Sequence, residues 1–177
     1  MSMKVITGTI VAAALAVSSV GLQARDILVR FDGGIGVIPA QTGAGQANGD
    51  GTLPNVKLNI VRGVPPGGGP WVIKDLKADV DTSGRITVRG RGLLLASGNS
   101  IGQNANQRVF ATLFCEAVAP FTERSTNHAG APLDVNGDFR IDDVLDLVPV
   151  DCANPVLLIR NTGGVWFAAG IPRFGDD

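Results

Sequence analysis

The sequence has no tyrosine, one histidine (His128), two cysteines (Cys115 and Cys152) and two glutamates (Glu116 and Glu123). Each scarcity closes a route. One imidazole and two thiols cannot furnish the clustered nitrogen and sulfur ligands of a transition-metal centre, so no metal site is expected. A Ser-His-Asp arrangement would have to run through His128, and no GxSxG turn accompanies it. Acid–base work by paired carboxylates needs two acids facing one cavity. Acidity here comes almost wholly from aspartate, a turn residue that solvent screens. The formal charge is −1, or −2 once Lys4 is removed, so neither nucleic acid nor an anionic membrane is an implied partner. The glycine-rich stretch "VPPGGGP" has no following helix and no Lys-Ser/Thr pair to hold a phosphate, and no cofactor is expected. It reads instead as a proline-stiffened hairpin turn.

Long apolar runs are also missing, except near the start. Met1–Ala24 reads as an export signal: Lys4 precedes an apolar run from Val5 to Val20, interrupted by Thr7, Gly8, Thr9, Ser18 and Ser19. A membrane span takes about 20 mostly apolar residues, and this run is shorter and softer. "GLQA" ends in a small residue, Ala24, which suits a cut there. The expected mature chain is one domain, 25–177, secreted or periplasmic and without a membrane span. Two cysteines in an exported chain are expected to pair as Cys115–Cys152.

What is present in quantity is turn chemistry: 24 glycines and 10 prolines with many Asp and Asn. Between these turns the apolar residues alternate or run in short blocks, with no helical period. "DILVRF" and "GIGVIP" read as one strand or two, and "NVKLNIVRG" (Asn55–Gly63) as another. "WVIKDLKADV", "RITVRGRGLLLA", "RVFATLFC", "APLDV", "FRIDDVLDL", "NPVLLIR" and "GVWFAAGI" follow. Two stretches, Thr42–Thr52 and Ser97–Gln107, are polar loops. The expected fold is all-β, a small antiparallel barrel of about eight to ten strands, with a β-sandwich as the alternative. Trp71 and Trp166 are expected in the core or plugging a barrel end.

The hairpin around "DTSG" can be read in register. Pairing Val80 with Ile86, with Gly84 in a left-handed turn position, puts Leu76, Ala78, Val80, Ile86 and Val88 on one face. Asp75, Lys77 and Asp79 then lie across from Arg91, Arg89 and Thr87 on the other, a half-buried antiparallel pattern. The arginine stripe Arg85, Arg89, Arg91 reads as self-paired with these acids. By the same rule "LDVNGDFRI" pairs Val135 with Phe139, Leu133 with Ile141 and Asp134 with Arg140. The spaced aspartates of both turns lack the closing glutamate of a calcium loop, since Gly90 and Leu145 stand there, and turn chemistry accounts for them. A looser calcium set from Asp142, Asp143 and Asp146 is the remaining metal arrangement.

Glu116, Glu123 and His128 cluster in the one irregular segment, beside Cys115. They are the weak candidates for ligand contacts at a pocket mouth. No residue is assigned a catalytic role. Three functions remain: a non-catalytic exported protein binding a small apolar or amphipathic ligand inside the barrel; a cell-surface structural or interaction module; and a barrel isomerase or cyclase on an apolar substrate. A packed interior with exposed apolar patches would favour the second.

Overall fold

In the computed structural model the described residues are 26–40 and 57–174. The export signal expected at Met1–Ala24 and the polar loop expected at Thr42–Thr52 lie outside them. Alternating apolar residues on extended backbone produce eleven strands: β1 Ile27–Gly36, β2 Trp71–Val72, β3 Asp75–Asp81, β4 Arg85–Arg91, β5 Leu94–Leu95, β6 Arg108–Phe114, β7 Arg124–Ser125, β8 Ala131–Pro132, β9 Phe139–Val144, β10 Val156–Asn161 and β11 Trp166–Arg173. β2 pairs with β5. The other nine form one curled antiparallel sheet in the order β7-β6-β10-β11-β1-β3-β4-β9, with β8 beside β7 on the free edge of β6. It is the all-β, barrel-like architecture expected, curled into a half-barrel.

The two edges of the sheet meet without a strand ladder. Asp146 N–H donates to the Ser125 carbonyl at 2.9 Å, and Ser125 N–H to Asp146 Oδ1 at 2.7 Å. Asn127 N–H donates to Asp143 Oδ2 at 2.8 Å. Carboxylates thus satisfy backbone donors at the end of β7 that would otherwise be left open at a sheet edge.

Inside the curl, rows of side chains run across the strands. The pairings Val29–Val80–Ile86, Phe31–Ala78–Val88–Ile141 and Leu76–Gly90–Phe139 place one apolar layer after another, all buried. Leu113, Leu157, Ile159 and Ala168 complete the opposite wall. The DTSG hairpin has the register read from the sequence, with Val80 opposite Ile86, Asp75 opposite Arg91 and Gly84 at φ +82°. Asp81 organises the turn, its Oδ1 accepting from Ser83 N and Arg85 N at 2.9 and 3.0 Å. "DILVRF" and "GIGVIP" are one strand, bulged between Phe31 and Gly34. The disulfide Cys115–Cys152 is formed, tying the end of β6 to the approach to β10 across 37 residues.

Three expectations need correction. The "LDVNGDFRI" hairpin does not form: Asp134 N–H donates to Asp138 O, closing the turn around Gly137, and Val135 is 90% exposed. Ala131–Pro132 is drawn instead to the edge of β6, and β9 pairs with β4, so Arg140 faces Arg89 rather than Asp134. Residues 57–63 form only isolated bridges, Ala40–Leu58 and Val61–Val64, because the chain turns back at Arg62 and Gly63, φ 51° and 86°. "VPPGGGP" is no hairpin turn. It runs beside β11, where Pro65 O accepts from Trp166 N and Gly67 N donates to Trp166 O. A Cβ on Gly67 would sit 2.8 Å from the Phe167 ring, so only glycine lets the segment approach so closely.

Candidate functional site

β6 and β10 are buried on both faces, and the second face explains the irregular segment between β6 and β8. Phe110, Thr112 and Phe114 share that outer face with Leu158 and Arg160. Phe121 meets Phe114 edge to face at 6.5 Å, and Arg62 lies 4.7 Å over the Phe121 ring. At its far end Ser125 Oγ and Thr112 Oγ1 are 2.9 Å apart, and Ala111 N–H donates to Thr126 Oγ1. The segment is a cover laid over the sheet and fastened by hydrogen bonds.

All three sequence candidates belong to this cover. Glu116 pairs with Arg124 at 2.9 Å and accepts from the N–H groups of Cys115 and Thr122. Partial burial alone would raise its pKa; the Arg124 guanidinium and the Thr122 N–H outweigh that and bring it down to about 2. Such a group stays ionised near neutral pH and cannot give up a proton there. Glu123 accepts from Arg160 Nη1 at 2.6 Å. Arg160 is itself buried and held from two more sides, with Nη1 also 3.3 Å from Thr112 Oγ1 and Nε donating to Gly164 O at 2.9 Å. His128 is exposed and stacks on the Phe110 ring, centroids 4.4 Å apart. Arg160 also lies 5.3 Å from the centroid of the Phe110 ring. Glu123 and His128 therefore flank one Phe110–Arg160 unit, while Glu116 sits with Arg124. Each is engaged by its own anchor, and they do not converge on a common cavity.

The looser calcium set is likewise committed. Asp143 and Asp146 hold the seam, and Asp142 pairs with Arg85 at 2.7 Å and Arg140 at 3.6 Å. Among the described residues no group of three or more His, Cys, Asp or Glu is placed to hold a metal ion, and no helix is long and apolar enough to cross a membrane.

Among the described residues the inward side chains are buried and the inward glycines stand in contact with their neighbours. A Cβ added to Gly34 would lie 2.9 Å from Leu76 Cβ, one on Gly170 2.9 Å from Phe31, and one on Gly90 2.0 Å from the Phe139 ring. Trp71, stacked on Phe167 at 4.1 Å, and Trp166, donating from Nε1 to Asn59 O, are both buried.

Among the described residues, concavities lie on the outside. One of about 250 Å³ sits at the seam between Val109, Asn127, Gly130 and Asp142. Another, of about 400 Å³, opens on the outer face of β3, β4 and β9, lined by Asp75, Lys77, Arg89, Gly90, Arg91, Phe139 and Arg140. Sequence reasoning saw Lys77 opposite Arg89 but set Arg140 in a separate hairpin, so this grouping was missed. The signal that would have found it is the pairing of β4 with β9, which no local pattern encodes. No family model, curated protein or solved structure matches the chain.

Proposed function

We propose that this is an exported, disulfide-stapled β-module that works by recognition at its outer surface. It neither encloses a ligand nor catalyses a reaction. The observation that carries this reading is the packed interior, where inward glycines already touch their neighbours and a methyl group would not fit. A ligand carrier, or an isomerase or cyclase, would need that space. Exposed apolar side chains support the surface reading: Ile38 and Ile60 beside the Ala40–Leu58 bridge, and Leu147, Val148 and Val150 after β9. The disulfide fits an oxidising compartment, and with the Met1–Ala24 pattern it supports a secreted or periplasmic location.

Native mass spectrometry of the chain purified from its own host tests the reading. The expected species is the bare mature chain, alone or with a protein partner. A stoichiometric apolar adduct, a fatty acid or other lipid-like molecule of a few hundred daltons that survives desalting, would contradict it.

A further inference from the structure

The geometry points to an oxyanion site on the outer face of β3, β4 and β9, centred on Arg89. This rests on the reading of the outer surface as the working face, and gives that surface a ligand class. Strand register puts Lys77, Arg89 and Arg140 in one row, directly opposite one another across three strands. Arg91 lies two residues along β4 on the same face. Directly opposed positions in a sheet stand about 5 Å apart, a spacing at which like charges repel.

The rows on either side are balanced. Asp79 pairs with Arg30 at 3.4 Å, Asp75 with Arg91 at 2.7 Å, and Asp142 with both Arg85 and Arg140. Lys77 reaches Asp32 at 3.4 Å. Every acid around Arg89 thus has another cation, and among the described residues Arg89 has no ion-pair partner. Arg89 lines the 400 Å³ cleft together with Lys77, Arg91 and Arg140, and with Asp75, which is held by Arg91.

A planar donor fork without an acid of its own, beside three cations that each share one, suits an anion with several oxygens on one centre. The chain as a whole is acidic, with a formal charge of −1, so an extended polyanion would meet repulsion outside this spot. A compact, multiply charged group matches better: a phosphate or sulfate, free or as a monoester on a small molecule or sugar.

The test follows the arginine Nε–Hε and backbone amide resonances during titration with inorganic phosphate, inorganic sulfate, glucose 6-phosphate and glucose 6-sulfate, at constant ionic strength set by chloride. The expected result is saturable shifts at Lys77, Arg89 and Arg140, tighter for the divalent anions than for chloride. Arg89→Gln should weaken binding at least tenfold, and Lys57→Gln, an exposed lysine elsewhere, should leave it unchanged. The monoesters separate an esterified ligand, which binds more tightly than the free ion, from a free one. Linear shifts spread over all surface arginines, or equal affinity in Arg89→Gln, would overturn the site. That result would leave the surface-module reading standing, whereas an apolar adduct without phosphate or sulfate in the mass spectrum would end that reading without touching this cleft.

Discussion

The wall formed by β1, β3 and β4 and the region from β6 to β8 are built on different terms. In the first, side-chain alternation decides the register, helped by a tight turn between β3 and β4: apolar rows point in and charges point out. In the second, polar side chains stand in for strand partners. Asp143 and Asp146 cap the backbone of the closing edge, Arg160 and Arg124 fasten the cover, and a disulfide pins its root. The difference teaches that the half-barrel is cooperative on one side by packing and on the other by a few long-range polar and covalent links. Losing one link should therefore matter most where links are few.

The largest effect is expected from Cys115→Ser with Cys152→Ser, which frees a long loop at the root of the cover. The chain-entropy treatment gives a loss of about 4 kcal/mol, read from the denaturant midpoint. Next comes Asp146→Ala at the seam. Removing a charged acceptor from the Ser125 N–H should cost about 2 kcal/mol, with amide exchange accelerating at residues 124–127 first. Gly84→Ala strikes the packed wall. Its left-handed φ and the Val148 side chain 3.1 Å from the added carbon predict about 1 to 2 kcal/mol.

The smallest effect is a change in acid sensitivity. Because the Glu116 carboxyl is lowered from 4.5 to about 2, its contribution is complete above pH 4.5 and is lost as pH falls towards 2. Glu116→Gln should flatten the stability profile across that window and leave its shape above it unchanged. Asp75, lowered by its hydrogen bond to Arg91, should contribute in the same direction.

The same contrast explains how far the sequence could be read. The β3–β4 register was legible because a one-residue slip would have mixed Leu76, Ala78 and Val80 with Asp75, Lys77 and Asp79. The cysteine pair was legible because the sequence holds only two thiols, each beside an apolar segment. The second hairpin was misread since its alternation fits two solutions, and the edge of β6 competes for Ala131 and Pro132 more effectively than β9 does. Glu116, Glu123 and His128 were visible as a cluster in sequence, but their anchors Arg124, Arg160 and Phe110 are fixed only by the fold. Arg140 entered the cationic row through a pairing made across just over fifty residues of chain, from Arg89.

The central claim is that nothing fits inside. The direct measurement is methyl-resolved NMR of Leu76, Val80, Leu113, Leu157 and Ile159 during titration with laurate. These inward methyls should keep their positions while any change stays with surface groups such as Ile38 and Val150. Saturable shifts at the interior methyls, with the surface unaffected, would show a cavity that opens to an apolar guest and would contradict the account.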